Sequence, residues 1–156
     1  MFMIHLTNKL NKDECTALIN WFSVQRKMKI NSTHESVMFT IEDVHEPYIK
    51  NLIIERVNEV NSGYELSWMT FARIGDGGNL VQHKDMVPTG AEMSKRILTA
   101  VFYLSDEFTG GELISENNEP IKPVLGSVVV FDGCNITHGV ETVKNGDRFT
   151  LSTWSI

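Results

Sequence analysis

His83 and Asp85, in the stretch Gln82-His83-Lys84-Asp85, stand two residues apart. If that segment is extended, alternation of side chains puts the imidazole and the carboxylate on one face, where they could hold one divalent metal. A second imidazole would come from His138, in a strand-like run after Phe131-Asp132-Gly133. Two His and one carboxylate on one face of an octahedral metal leave three positions open, the facial arrangement of non-haem Fe(II) sites. Closed structural zinc sites use four protein ligands, often Cys, and neither Cys15 nor Cys134 falls in such a spacing. His-x-Asp alone is a weak signal, because a lone His is more often a hydrogen-bonded core or surface residue. The pair gains weight from following the turn Gly75-Asp76-Gly77-Gly78.

Arg148 comes next, after the turn Lys144-Asn145-Gly146-Asp147. In the final strand Arg148, Thr150, Ser152 and Trp154 share one face, while Phe149, Leu151 and Thr153 share the other. If the first face lines a barrel, the interior is polar and contains a cation. A buried Arg without a partner costs about 3–5 kcal/mol, so it requires an anion. A bound carboxylate would meet the guanidinium fork in bidentate fashion; an acidic group of the protein itself is the other source. Tyr103 shares a face with Ile97, Thr99 and Val101. Its hydroxyl needs a partner when buried, either that same carboxylate or a backbone carbonyl.

The elements that must position these groups follow from periodicity. Residues 2–6 read as a first strand. Asn11 with Glu14 has the pattern of a capped helix start, and Cys15, Leu18, Ile19 and Phe22 make an apolar stripe ending near Arg26. Residues 27–35 are polar and read as a loop, and Val37–Ile41 as a strand. Pro47 suits a first helical turn, and Ile49, Leu52, Ile53, Val57 and Val60 form the stripe of a second helix, which stops before Gly63. From Tyr64 onward the runs 64–74, 80–85, 96–104, 111–115, 127–131, 136–143 and 148–155 are β-branched or aromatic and separated by turn residues. They predict a sandwich, jelly roll or barrel. The segment 86–95 is a loop directly after Asp85, either a lid or a plain surface connection.

The chain of 156 residues suits one domain, 1–156, with 1–65 as helical support and 66–156 as the core. A chain of this size buries about 70% of the surface its unfolded form exposes and needs no disulfide support. The net charge of −6 argues against a duplex-binding surface. Two distant Cys suggest a reducing compartment. Met1–Leu6 is too short for a signal segment and no stretch reaches transmembrane length. The expectation is a soluble cytoplasmic protein with no membrane partner.

As an ordered set, these motifs resemble the 2-oxoglutarate- and Fe(II)-dependent dioxygenases, specifically the prolyl 4-hydroxylase-like branch. The resemblance rests on the Gly-rich run 77–85 ending in His83-Lys84-Asp85, on 96–106 with Thr99 and Tyr103, and on Gly110-Gly111-Glu112-Leu113. It continues through Gly126-Ser127, Val130-Phe131, and 138–148 from His138 to Arg148. It covers residues 66–156. It implies a double-stranded β-helix (jelly-roll) core, mainly β, with the N-terminal helices packed on one sheet. It implies that His83, Asp85 and His138 hold Fe(II). It further implies that Arg148 binds the distal carboxylate of 2-oxoglutarate with Tyr103 as a second contact, and that Trp154 lines the pocket near the metal. Ascorbate would serve as reductant. The reaction implied consumes 2-oxoglutarate and molecular oxygen, releases succinate and carbon dioxide, and hydroxylates a substrate. One departure stands out: many relatives carry Tyr nine residues before the first ligand His, where this chain has Ile74.

The implied substrate is a prolyl residue in a peptide or protein, lying against the 86–95 loop and the segment 27–43. A free amino acid or a small metabolite would suit the same site. Rival readings are a nucleic-acid demethylase, disfavoured by the acidic charge and the lack of a basic aromatic stripe, a non-catalytic cupin-like metal-binding barrel, and a jelly-roll interaction module without metal.

Overall fold

The computed structural model describes residues 3–85 and 97–156. Strand β1 (Met3–Leu6) leads into helix α1 (Lys12–Ser23). The Asn11 side chain accepts from the Glu14 backbone N–H at 2.8 Å, and the Glu14 carboxylate accepts from the Asn11 N–H at 2.9 Å. This reciprocal cap satisfies donors that a helix start otherwise leaves free. Helix α2 (Pro47–Asn58) starts with Pro47 in its first turn and the Glu46 carboxylate accepting from the Ile49 N–H. The buried residues of α1 are Cys15, Leu18 and Phe22, and those of α2 are Ile49, Leu52, Ile53 and Val57, as the apolar stripes predict.

The segment between the helices departs from expectation. Residues 27–35 are not a loop: they contain β2 (Met28–Asn31) and the start of β3 (His34–Phe39), paired antiparallel. The Asn31 side chain makes the turn by accepting from both the N–H and the hydroxyl of Thr33. Every β2 residue is exposed, so no alternation marks it in the sequence. Ile41, expected to end a strand, opens a single 3-10 turn, Ile41–Asp43.

The later strands are β4 (Leu66–Ile74), β5 (Leu80–His83), β6 (Leu98–Tyr103), β7 (Thr109–Gly110), β8 (Leu113–Ser115), β9 (Val128–Phe131), β10 (His138–Val140), β11 (Val143–Lys144) and β12 (Arg148–Ser155). The run 136–143 divides into β10 and β11. The strand expected over 80–85 stops at His83, because the Asp85 N–H leaves the ladder and donates to the Gly133 carbonyl at 2.8 Å.

Among the described residues all strand pairings are antiparallel. The main sheet has seven strands in the order β1-β9-β6-β12-β4-β3-β2; a second has β5-β10-β8, and β11 pairs with β7. Residues before β4 therefore add strands to both ends of the main sheet as well as two helices. Leu18, Phe22, Leu52 and Ile53 pack on one face of that sheet against Phe71, Phe102 and Leu151. Its other face meets the smaller sheet, where Val101, Tyr103, Val129 and Phe131 form a second core with Leu113 and Ile136. The fold is a mainly β jelly roll with N-terminal helices packed on one sheet. No helix among the described residues is long and apolar enough to cross a membrane.

Candidate active site

Antiparallel pairing of β5 with β10 sets His83 directly opposite His138. Asp85 lies beyond the end of β5, turned towards both rings. The Asp85 Oδ1 atom is 3.5 Å from His83 Nε2 and 3.3 Å from His138 Nε2. One ligand atom from each of the three residues lies within 4.8 Å of the others.

Both rings are oriented by the backbone. His83 Nδ1 is 2.8 Å from the Val81 carbonyl, and His138 Nδ1 is 2.8 Å from the Ile136 carbonyl. A carbonyl only accepts, so each Nδ1 carries a proton, and each Nε2, beside Asp85, is the nitrogen available to a metal. Phe131 packs edge-on to His138, with ring centroids 4.7 Å apart. Burial would raise the Asp85 carboxyl, but hydrogen bonds from His138, His83 and Trp154 outweigh it and hold the group far below its ordinary range. The Asp85 contact raises the His83 imidazole against the effect of burial. A carboxylate kept ionised beside two imidazole Nε2 atoms is a donor set that fits one divalent metal, and among the common choices a 2-His-1-carboxylate set suits Fe(II).

The second carboxylate oxygen is occupied. Asp85 Oδ2 accepts from the Thr99 hydroxyl at 2.8 Å and from Trp154 Nε1–H at 3.0 Å. These donors leave Oδ1 free to face the imidazoles. Trp154 is itself held by a near-parallel stack on Trp68, with centroids 5.4 Å apart. Gly133 makes room for the arrangement: a Cβ there would collide with the Asp85 carboxylate and the Thr99 hydroxyl. Periodicity and spacing alone give Thr99 and Gly133 no role in the site. The signal for Thr99 was its place on the Tyr103 face of β6; Gly133 carried none beyond its adjacency to Asp132.

Arg148, Thr150, Ser152 and Trp154 line one cavity of about 170 Å³ together with the His-Asp-His cluster. Arg148 sits at its other end. It is 4% exposed, its Nε donates to the Gly111 carbonyl at 3.0 Å, and its guanidinium lies 5.3 Å from the Tyr103 ring centre. It forms no ion pair among the described residues. Burial pulls the guanidinium below its ordinary value, offset in part by Tyr103. The Tyr103 hydroxyl is fully buried and has no hydrogen-bond partner among the described residues. A buried cation and an orphaned hydroxyl side by side mark a place for an anion. Ile74 lines the same cavity and offers no polar atom. The 86–95 loop, by sequence either a lid or a plain surface connection, lies outside the described residues.

A family model for the 2OG-Fe(II) oxygenase superfamily matches residues 69–156. Among solved structures, the viral collagen prolyl hydroxylase of Paramecium bursaria Chlorella virus-1, in its 2OG complex, superimposes with a TM-score of 0.76 at 20% identity, covering 99% of this chain and 94% of that one. A prolyl-4-hydroxylase of Pseudomonas putida gives 0.71 at 19% identity over 98% and 91% of the two chains. HygX of Streptomyces hygroscopicus, with nickel and 2-oxoglutarate bound, gives 0.73 at 13% identity over 97% and 81%. No curated protein matches the chain by sequence. The family match spans more than half of the chain, from β4 through β12, and includes every residue of the cluster and of the anion-seeking end of the cavity. The chain belongs to the 2OG-Fe(II) oxygenase superfamily, and it is a dioxygenase that uses Fe(II) and 2-oxoglutarate.

Proposed function

We propose that His83, Asp85 and His138 are the Fe(II) ligands, that Arg148 with Tyr103 receives the distal carboxylate of 2-oxoglutarate, and that the enzyme hydroxylates prolyl residues in a peptide or protein. The observation that carries the site assignment is one cavity with a cluster of metal donors at one end and, at the other, a buried cation without an ion pair beside a hydroxyl without a hydrogen bond among the described residues. The bound metal supplies oxygen activation, coupled to oxidation of 2-oxoglutarate to succinate and carbon dioxide.

The chain's own residues do the rest. The carbonyls of Val81 and Ile136 fix the tautomers of the two ligand His. Thr99 and Trp154 hold Asp85 so that one oxygen faces the metal position. Arg148 and Tyr103 select a dicarboxylate by charge and hydrogen bonding in a site shielded from water, where such contacts are strong. The apolar wall formed by Ile74, Leu80, Val101 and Val140 excludes water from the space between.

The prolyl substrate is supported by likeness in fold to the viral and Pseudomonas prolyl hydroxylases. It is also supported by likeness to a Trichoplax adhaerens prolyl hydroxylase whose structure contains a peptide fragment of hypoxia inducible factor. The cavity side of the β2–β3 hairpin, with exposed Met28 and Met38, extends beyond the cavity and suits an extended peptide. Residues 1–156 would act as one domain, since β1 pairs with β9 and β3 with β4 across the division at residue 65. Two free thiols, Cys15 and Cys134, support a reducing, cytoplasmic setting.

The deciding experiment is succinate formation from 2-oxoglutarate with Fe(II), ascorbate and oxygen, with and without Pro-containing peptides, free amino acids and small metabolites. Fe(II)-dependent succinate that a Pro-peptide stimulates supports the prolyl reading. Stimulation by a free amino acid or a metabolite alone moves the substrate class, and absence of succinate with metal bound overturns the assignment.

A further inference from the structure

We propose that His34 is a further side-chain donor to the distal carboxylate of the cosubstrate, acting beside Arg148 and Tyr103 from the neighbouring hairpin. This rests on the assignment of Arg148 above.

The strand register puts three residues in one row: His34 of β3 is directly opposite Ile74 of β4, and Ile74 is directly opposite Arg148 of β12. Directly paired residues in an antiparallel sheet point to the same face. Val37 and Phe39 of the same strand pack with the helix-facing core, so His34 belongs to the opposite, cavity-facing set. His34 and Arg148 accordingly both line the cavity, at the end far from Trp154. Their backbones are two strand spacings apart, roughly 10 Å, with the cavity that both side chains line in front of them. Ile74 between them has no hydrogen-bonding side-chain atom. The polar groups of this row come only from its two flanks.

The His34 ring makes no hydrogen bond among the described residues, although it is half-buried. Burial lowers its proton affinity, and the cations Arg148 and Arg73 lower it further. A neutral imidazole keeps one N–H donor. It can donate to a carboxylate oxygen without adding a second positive charge beside Arg148. His34 thus supplies a polar contact in the row where Ile74 supplies none.

The test is calorimetric binding without oxygen, on protein loaded with Mn(II), which separates binding from turnover. Two 2-oxo acids are compared: 2-oxoglutarate, and 2-oxobutanoate, which keeps the metal-chelating head and lacks the distal carboxylate. For His34→Ala, 2-oxoglutarate affinity should fall about tenfold, the loss of one hydrogen bond to a charged group. Affinity for 2-oxobutanoate, Mn(II) affinity and the thermal midpoint should not move. His34→Gln, which retains an N–H donor, should recover most of the loss. An unchanged 2-oxoglutarate affinity in His34→Ala overturns the proposal, as do equal losses for both acids or a Gln variant no better than Ala. Failure of the wild-type protein to bind 2-oxoglutarate would instead bring down the assignment of the site itself, which distinguishes the two failures.

Discussion

The helix-facing side of the seven-stranded sheet and its cavity side are built from the same strands in opposite phase. On the helix side, Phe39 and Phe71 stack at 5.5 Å, and Trp21 and Phe22 close over Phe71 at 5.5 and 5.7 Å. Leu151 of β12 is 2% exposed there. On the cavity side of that strand, Arg148, Thr150, Ser152 and Trp154 face a space left open. One face is filled with apolar groups that satisfy one another; the other holds a cation without an ion pair and a hydroxyl without a hydrogen bond among the described residues. Such unsatisfied polar groups cost stability and persist where the surrounding packing outweighs them. The closely packed helix side offsets what the cavity side leaves unmade, so substitutions on the two faces should fail in different ways.

The largest effect expected is at the metal end. His83→Ala removes one of the three proposed metal donors and should abolish 2-oxoglutarate consumption while the circular dichroism spectrum and thermal midpoint stay at wild-type values. Consumption at the wild-type rate would remove His83 from the site. Phe71→Ala breaks the comparison from the other side. It should cost about 3–5 kcal/mol in urea unfolding, the usual range for an aromatic truncated in a packed core. Under conditions where it remains folded it should bind 2-oxoglutarate as the wild type does. Weakened binding without lost stability would mean that the two faces are not separable.

Trp154→Phe sharpens the distinction within the cavity. The ring that stacks on Trp68 is kept in part, and only the N–H donated to Asp85 is removed. Metal affinity should fall about tenfold, the lower end for loss of a group that orients a ligand, with little change in unfolding midpoint. Wild-type metal affinity in this variant would show that Thr99 alone suffices to orient Asp85.

The smallest effect expected is at the sheet edge. Arg73 donates to Glu35 at 2.8 Å and to Asp147 at 3.0 Å. The Arg73 hydrogen bond holds the Glu35 carboxyl below its ordinary value. A depressed carboxylate contributes stability that is present above the ordinary Glu range and is lost as pH falls through the depressed value. The pair is partly exposed, so the gain is small. Hydrogen exchange in β2 and β3, corrected for the intrinsic rate, should show protection falling as pH drops below the ordinary Glu range. The Glu35→Gln variant should lose that dependence; an identical profile in both would assign it elsewhere.

Much of the fold was legible because local chemistry and global structure agree. The cap at Asn11, Pro47 in the first turn of α2 and the apolar stripes of both helices are short-range signals. The strict alternation in β12 shows which residues share the Arg148 face. The β2–β3 hairpin was not legible, because an edge strand exposed at every position has no alternation and this one turns on Asn31 instead of Gly. Asp85 was read as part of a strand. It is in fact a residue after the strand, aimed by the bond of its N–H to Gly133 and by two side-chain donors from β6 and β12.

The chain by itself determined the kinds of group present, their order, and the face each occupies on its own strand. These follow from side-chain chemistry and the two-residue period of an extended backbone. Only the tertiary structure decided which strands are neighbours and in what register. Register placed His138 opposite His83, set Thr99 and Trp154 on Asp85, and aligned His34 with Ile74 and Arg148. Pairing between distant strands depends on the whole hydrophobic pattern and on turn geometry, not on any single segment, so no local reading could supply it.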